Sequence, residues 1–199
     1  MATITKTQGT EVLAHTAITH PASVLGSAQD VSTKLAATII CYHASVEATA
    51  NTNPGSFYIQ VSAESSGDET WATVAQFTAT VVTANPEAVT GTENAGATVI
   101  ECASTTGYTA QLPIYIKNGT LANSEWAFVQ SIVANTSVTV QDGITNAQTG
   151  ATLYNNADIF VAQLDLTAVG RVRVVFHHQG ATGANVDVRA MMVTGDSIS

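Results

Sequence analysis

The segment Gly170–Gly180, GRVRVVFHHQG, is the densest group of residues that could do chemistry. It holds two of the six basic residues and two of the five histidines. Side chains alternate along a predicted strand, so His177 and His178 point to opposite faces and cannot bind one metal ion. The remaining histidines have no Cys, Asp or Glu partner at metal-ligand spacing. We therefore predict no metal site.

Arginines in and after this segment form a second pattern. Arg171 and Arg173 share one strand face, and Asp187 and Arg189 share a face of the next predicted strand. Arg–Asp pairs between neighbouring strands are common on polar sheet faces, and exposed pairs contribute only ~0–1 kcal/mol. Arg is also enriched at protein interfaces. Two interpretations stay open: a charge-paired solvent face, or an interface formed by Arg171, Arg173, Asp187 and Arg189.

Sequence patterns of catalytic sites are missing. The sequence contains no GxSxG motif, and neither cysteine lies in a catalytic context. The segment GATGAN, residues 180–185, is similar to a phosphate-binding loop only in its glycines, because no helix is predicted after it. We interpret it as a hairpin loop between two strands. The sequence predicts a chain that is not an enzyme and holds no cofactor.

Composition narrows the class of protein. Charged residues make up 11% of the 199 residues, hydrophobic residues make up 45%, and the net charge is −9. A chain with so few basic residues is a poor binder of nucleic acid and of anionic membranes. Low charge with abundant Thr and Ser favours β-sheet surfaces over charged helix faces. We expect an all-β protein that binds neither nucleic acid nor membrane.

The two cysteines and the first residues indicate the compartment. Cys41 and Cys102 are predicted to be buried free thiols, although a single disulfide remains an alternative. The first 15 residues contain no apolar segment of a secretory signal. No apolar run approaches the ~20 residues of a membrane helix. We expect synthesis in a reducing cytoplasm.

Strand patterns divide the chain into two parts. Residues 56–82 alternate around the turn SSGD and predict a β-hairpin. Short, closely spaced strands follow, as in a small barrel, and longer strands return from about Asp158. We predict a jelly-roll-like β-sandwich over residues 1–92 and 155–199, with an N-terminal arm over about 1–10. Residues 93–154 are predicted to be an inserted small β-barrel-like subdomain.

The order of three segments resembles structural proteins of tailed-bacteriophage particles, most nearly head decoration or cement proteins. The segments are FYIQVSAESSGDETWATVAQF, then ATVIECASTTGYTAQLPIYIKNGTLANSEWAFVQSIVANTSVTVQDGI, then RVRVVFHHQGATGANVDVRAMMVTGD. The resemblance implies a non-enzymatic protein on the capsid surface of a virion, made in the host cytoplasm. It also implies the major capsid protein as partner and a homo-oligomer, with a trimer as the expected form.

A second resemblance leads to a different class of function. The segment YIQVSAESSGDETWATVAQF is similar to the strand–turn–Trp pattern of discoidin-type jelly rolls, many of which bind carbohydrate. That resemblance implies a sugar-binding module of a phage tail or receptor-binding protein. Trp71 or Tyr58 would then be an exposed platform for a sugar ring. The alternative prediction is that Trp71 belongs to the core.

Overall fold

A computed structural model describes most of the chain and is built almost entirely of antiparallel strands. One three-residue 3-10 helix, Leu121–Asn123, is the helical element within the described part of the chain. The all-β prediction is confirmed. The structure describes residues 4–6, 9–19, 21–46, 55–67, 70–81, 85–178 and 185–198, with side chains omitted at 4–6 and 196–198.

The strands fall into three groups along the chain. The first group is β1 Ile4–Lys6, β2 Thr10–Thr19, β3 Ala22–Leu25, β4 Gln29–Asp30, β5 Ala36–Ser45, β6 Ser56–Ser62 and β7 Ala72–Thr78. The second group is β8 Glu87–Ala88, β9 Thr92–Glu93, β10 Val99–Glu101, β11 Pro113–Lys117, β12 Glu125–Val133, β13 Ser137–Val140, β14 Gln148–Thr149 and β15 Thr152–Tyr154. The third group is β16 Ala157–Asp165, β17 Arg171–His178 and β18 Asn185–Ile198.

The first and third groups form two sheets. The first sheet has the order β2–β18–β5–β16, and the short β1 pairs with the far end of β18. The second sheet has the order β3–β17–β6–β7, and β4 extends the β3 edge along β17. The eight strands named in these two orders, numbered 1 to 8 along the chain, therefore have the orders 1-8-3-6 and 2-7-4-5. That arrangement is a jelly roll, so the jelly-roll character is confirmed.

Alternation along these strands builds the core between the sheets. Ile39 and Cys41 of β5 face Phe57 and Ile59 of β6, and all four are fully buried. Apolar side chains at every second position of each strand must point to one face, and burying that face stabilises the sandwich. Cys41 is a free thiol, and burial raises its pKa to about 12.

The second group of strands forms a barrel-like unit between β7 and β16. Its six-stranded sheet has the order β10–β13–β12–β11–β15–β8. The two ends of this sheet meet through a bridge between Val89 and Cys102, and the Thr90 amide donates to the Glu101 carbonyl. This closure encloses a separate apolar core around Ile100. The free thiol of Cys102 is buried in the same core. The barrel-like unit is therefore confirmed.

One prediction from the sequence is contradicted by the structure, and another lies partly outside the described residues. We predicted a hairpin between β17 and β18, but the structure contradicts it because the two strands belong to opposite sheets. The intervening residues 179–184 lie outside the described residues. The predicted N-terminal arm over 1–10 lies partly outside them too, and within it Ile4–Lys6 form β1.

Candidate functional site

The outer face of the second sheet carries two of the predicted interface residues. Arg171 and Arg173 lie side by side on β17 and are half-buried. Arg171 is in register with Asp30 of β4, and its guanidinium donates to the Ala28 carbonyl at 3.4 Å. We call this surface the arginine face: Arg171, Arg173, Val175 and His177 of β17 with Tyr58 and Gln60 of β6.

Trp71 lies against this face and not in the core. The guanidinium carbon of Arg173 lies 4.0 Å from the centre of the Trp71 ring, a cation–π contact. Arg173 Nε also donates to the Gln60 side-chain oxygen at 2.8 Å. One face of the indole is therefore occupied by Arg173, and the expectation of a core Trp71 is wrong.

The other two predicted interface residues lie in the first sheet. Because β18 pairs with β2 and β5, Asp187 and Arg189 are separated from Arg171 and Arg173 by the sandwich core. The interpretation in which Asp187 pairs across neighbouring strands with Arg171 or Arg173 is therefore wrong. Arg189 instead donates through Nε to Glu11 of β2 at 2.7 Å. The four residues do not make one surface.

Asp187 is fully buried because the barrel covers its end of the first sheet. The Tyr115 hydroxyl, from β11 of the barrel, donates to Asp187 Oδ2 at 2.7 Å. Lys117 Nζ lies 3.2 Å from the same oxygen. These two contacts replace water at Oδ2, whereas the buried Oδ1 atom has no hydrogen-bond partner. Asp187 therefore joins the barrel to the sandwich.

His15 of β2 extends this buried network. Its Nε2 lies 3.0 Å from the Tyr115 hydroxyl oxygen. Because that hydroxyl donates its hydrogen to Asp187, His15 must donate from Nε2. Burial lowers the pKa of His15, and the nearby Asp187 opposes that effect only in part. The ring is therefore neutral at pH 7.

Aromatic rings pack around the network. The rings of Tyr115 and Trp126 lie 4.5 Å apart between centres, and Trp126 also packs on Tyr42 of β5 at 5.3 Å. The Trp126 indole N–H donates to the His43 carbonyl at 3.1 Å. Burial raises the pKa of Tyr115, with the charge of Asp187 adding to the effect. The barrel and the sandwich thus share an interior.

A second carboxylate, Asp158, lies at the other edge of the first sheet. His43 Nδ1 is 3.3 Å from Asp158 Oδ2, and the Thr80 amide and hydroxyl donate to the carboxylate at 2.9 and 2.7 Å. Burial alone would raise the pKa of Asp158, but these hydrogen bonds together lower it below the ordinary value. Asp158 is ionised and holds the chain that leaves β7.

A cleft of about 420 Å³ opens beside Asp158, between the barrel and β16. Asn156 lines it, but both amide atoms of that side chain are inaccessible to solvent and have no hydrogen-bond partner. The Asp158 carboxylate in the wall of the cleft already accepts a hydrogen bond from the Thr80 hydroxyl. The cleft therefore presents mainly backbone and apolar groups, lined by Gly107, Leu112, Pro113 and Ile159 among others.

The outer face of the first sheet is apolar. In the register of β16, β5 and β18, Val161 lies beside Ile40 and Ile40 beside Met191. Val161 is 56% exposed, Ile40, Ile159 and Met191 beside it are half-buried, and the next outward residue of β16, Gln163, is exposed. We call this surface the apolar face: Ile40 of β5, Ile159 and Val161 of β16, and Met191 and Val193 of β18.

Sequence reasoning missed the apolar face, although a signal for it exists. The segments AATIICYHAS of β5 and DIFVAQL of β16 are apolar at both odd and even positions. A strand with solvent on one face alternates, whereas a continuous apolar run indicates a strand covered on both faces. Those runs therefore predict that the outer face of the first sheet is covered as well as its inner face.

The described residues also bear on metal binding and on membrane spanning. No group of three or more His, Cys, Asp or Glu is placed to hold a metal ion within them. No helix in the same residues is long and apolar enough to cross a membrane.

No protein-family model matches the chain, and no protein of curated function matches it. Among solved structures it is similar to VP17, a capsid protein of bacteriophage P23-77, with 11% identity, a TM-score of 0.22, and 98% of this chain and 100% of that chain covered. It is also similar to VP2 in the subviral particle of infectious bursal disease virus, with 10% identity, a TM-score of 0.15, and 98% and 41% covered. At these scores the two likenesses carry no argument about function.

Proposed function

We propose that this chain is a non-enzymatic structural protein of a virus particle. The observation that carries the proposal is the eight-stranded jelly-roll order with a second β unit inserted between β7 and β16. Jelly rolls recur in viral capsid and lectin domains. The resemblance of the sequence to phage-particle proteins favours the first of these classes.

The finer proposal is a cement or decoration protein of a phage head. Such a protein lies on the capsid surface, and the major capsid protein is its partner. Many copies bound to a symmetric lattice gain avidity from modest contacts at each site. A homo-oligomer, with a trimer as the form implied by the resemblance, would present several binding surfaces at once.

The arginine face is the proposed contact with the shell. Arg171 and Arg173 place two guanidinium groups side by side on this sheet face, in a chain whose net charge is −9. Planar guanidinium groups suit carboxylates and carbonyls of a partner surface. Asp187 is not part of this contact, because it is buried in the junction with the barrel.

The hydrogen bonds and ion pairs of Asp158 and Asp187 support a structural role over a catalytic one. Asp158 accepts from Thr80 and lies beside His43, and Asp187 accepts from Tyr115 beside Lys117. Each of these groups connects one strand or unit to another. The Asp158 carboxylate and the Oδ2 atom of Asp187 thereby hold separate parts of the fold together.

The rival function is sugar binding by a jelly-roll module of a tail or receptor-binding protein. The position of Arg173 over Trp71 weighs against it, because it leaves only the other face of the indole for a sugar ring. A glycan array with the native chain and Trp71→Ala tests this rival. Binding that is lost in the variant would favour the module.

Location in the particle separates the two functions most simply. Antibodies against the purified chain are applied to intact particles from its source and located by electron microscopy. Label spread over the whole head is the expected result. Label confined to the tail tip would contradict the cement role and support the receptor-binding alternative.

A further inference from the structure

We propose that the free edge of β16 binds an extended segment of a partner chain as an added strand, and that this segment is apolar with a basic residue at each end. The free edge is the side of β16 opposite β5. The inference goes beyond the proposed function and does not rest on it. A particle protein could fail the test below and still be a particle protein.

The place of β16 in the first sheet leaves one of its edges open. It is the last strand of the order β2–β18–β5–β16, and within the described residues no strand pairs with its other side. Val161, at the middle of the strand, is 56% exposed. An open edge presents a row of unpaired N–H and C=O groups, which an extended main chain can match.

The hydrogen bonds of the ladder show which residues present those groups. The Leu166 amide donates to the Leu35 carbonyl, one step beyond the last pair of β16 and β5. Bonded and non-bonded pairs alternate along an antiparallel ladder, so the even-numbered residues of β16 bond to β5. The odd-numbered residues point their main-chain groups to the free edge: Ile159, Val161 and Gln163.

The other neighbour of β5 gives the same assignment. The Val46 amide donates to the Asn185 carbonyl of β18, so the even-numbered residues of β5 direct their main-chain groups to β18. The odd-numbered residues of β5 therefore bond to β16. In the register they lie opposite the even-numbered residues of β16. Both neighbours of β5 thus leave the same groups of β16 without a strand to bond.

A comparison of the four sheet edges singles out β16. The edge strand β2 carries Glu11 and two register shifts, β3 has only four residues, and β7 has a register shift. Charges, short length and bulges are the devices that keep edges from pairing. β16 pairs over nine residues without a shift, and the six residues between Asp158 and Asp165 include no charge, Pro or Gly.

The surroundings of the free edge suit apolar side chains. The cleft of about 420 Å³ lies at the beginning of β16 and is lined by Ala157, Ile159, Leu112 and Pro113 among others. Leu112 is 52% exposed there. An added strand that runs along β16 would place one end in this cleft, and its apolar side chains would cover exposed apolar surface.

Charge selects the partner. Asp158 and Asp165 lie near the two ends of the strand, so a basic residue at each end of the added segment is attracted to a carboxylate. A second copy of β16 fits poorly. If two copies paired antiparallel about Val161, Asp165 of one copy would lie at the same end as Asp158 of the other. Two chains of net charge −9 also repel each other.

Nuclear magnetic resonance of the purified chain with a synthetic peptide tests the inference. The probe is acetyl-Lys-Val-Thr-Val-Thr-Val-Lys-amide, added to about 5 mM, a concentration that detects a dissociation constant near 1 mM. We expect the amide signals of Ile159, Val161 and Gln163 to shift and their exchange with water to slow about fivefold. The amides of Phe160 and Ala162 are the internal control, because they already donate to β5.

Matched peptides and variants separate main-chain pairing from other kinds of binding. Val161→Pro removes a central N–H of the free edge without removing a bond to β5, and it should raise the dissociation constant about tenfold. Val161→Thr keeps that N–H and should bind within about threefold of the native chain. Circular dichroism checks that both variants are folded.

A peptide with N-methylated valines and threonines should not bind, and one with Glu in place of both lysines should bind about tenfold more weakly. These results together support the inference. No change at the three edge amides with the first peptide would overturn it. Equal binding of the N-methylated peptide, or unchanged binding to folded Val161→Pro, would also overturn it, since main-chain pairing would then play no part.

Discussion

At the scale of single residues, Asp187 shows how position decides the role of a charge. It lies on the outward side of β18, a side that faces solvent farther along the strand. The barrel covers it there, and Tyr115 and Lys117 reach its Oδ2 atom. The Asp187 carboxylate, on the outward side of its strand, therefore connects the sandwich to the barrel in a buried junction.

Asp187→Asn tests that connection. The variant removes the charge opposite Lys117, so we expect the free energy of unfolding to fall by roughly 1–3 kcal/mol. Chemical denaturation at pH 7 measures it. Asp142→Asn changes an exposed carboxylate of the barrel and should stay within about 0.5 kcal/mol of the native chain. Equal losses in the two variants would show that Asp187 has no special role.

Asp158 makes stability depend on pH in a defined direction. Its pKa is lower in the folded chain than in the unfolded one, so its contribution is complete above the unfolded value. That contribution is lost as the pH falls through the folded pKa. Thr80→Val removes one donor and should cost about 0.5–1.5 kcal/mol at pH 7.

Unfolding free energies of the native chain and Thr80→Val, measured from pH 7 down to about pH 2, check this expectation. The difference between them should shrink once Asp158 is protonated in the folded state. A difference that stays constant across the range would mean that Thr80 stabilises the chain by packing and not through the carboxylate.

At the scale of elements, the connection between β3 and β4 passes close to β2 of the first sheet and β17 of the second sheet at Gly26. An ideal Cβ on Gly26 would overlap the carbonyl oxygen of Val12 and lie 2.8 Å from that of Val174. The Gly26 amide donates to that Val174 carbonyl at 2.8 Å. A side chain at Gly26 would therefore push β2 away from β17.

Gly26→Ala should lower the free energy of unfolding by about 1–3 kcal/mol, as overpacking does. Thermal unfolding followed by circular dichroism measures the effect. Gly119→Ala is the matched control, because a Cβ there meets nothing within 4 Å. A neutral Gly26→Ala would mean that the sheets separate at this edge without cost.

Local sequence patterns predicted where the strands lie better than they predicted which strands pair with each other. The alternation of residues 56–82 predicted β6 and β7, and these strands pair as a hairpin. Arg171 and Arg173 lie on one face as their spacing indicates. Their separation from Arg189 was not predictable, because alternation within a strand does not say which sheet the next strand joins. The burial of Asp187 depends on the docked barrel, which no local pattern reports.

At the scale of the whole molecule, the shared interior should make the two units unfold together. The predicted boundaries of the sandwich and the inserted unit, at residues 92/93 and 154/155, stay a prediction, and calorimetry tests how strongly the two units are coupled. We expect one transition for the native chain, since Tyr115 and Trp126 pack against the sandwich at the junction. Tyr115→Ala should separate the unfolding of barrel and sandwich into two transitions.

Tyr58→Ala serves as the control for that experiment. Tyr58 lies on the arginine face, away from the junction, so its loss should leave a single transition. Two transitions in the native chain would show that the barrel and sandwich are thermodynamically independent. The buried network around Asp187 would then be a contact of little energetic consequence.

A cryo-electron microscopy map of particles from the chain's source tests the central claim most directly. The proposed function predicts many symmetry-related copies of this jelly roll on the head, with Arg171 and Arg173 toward the shell. A complete map of the particle with no density for this fold on its head would contradict the account.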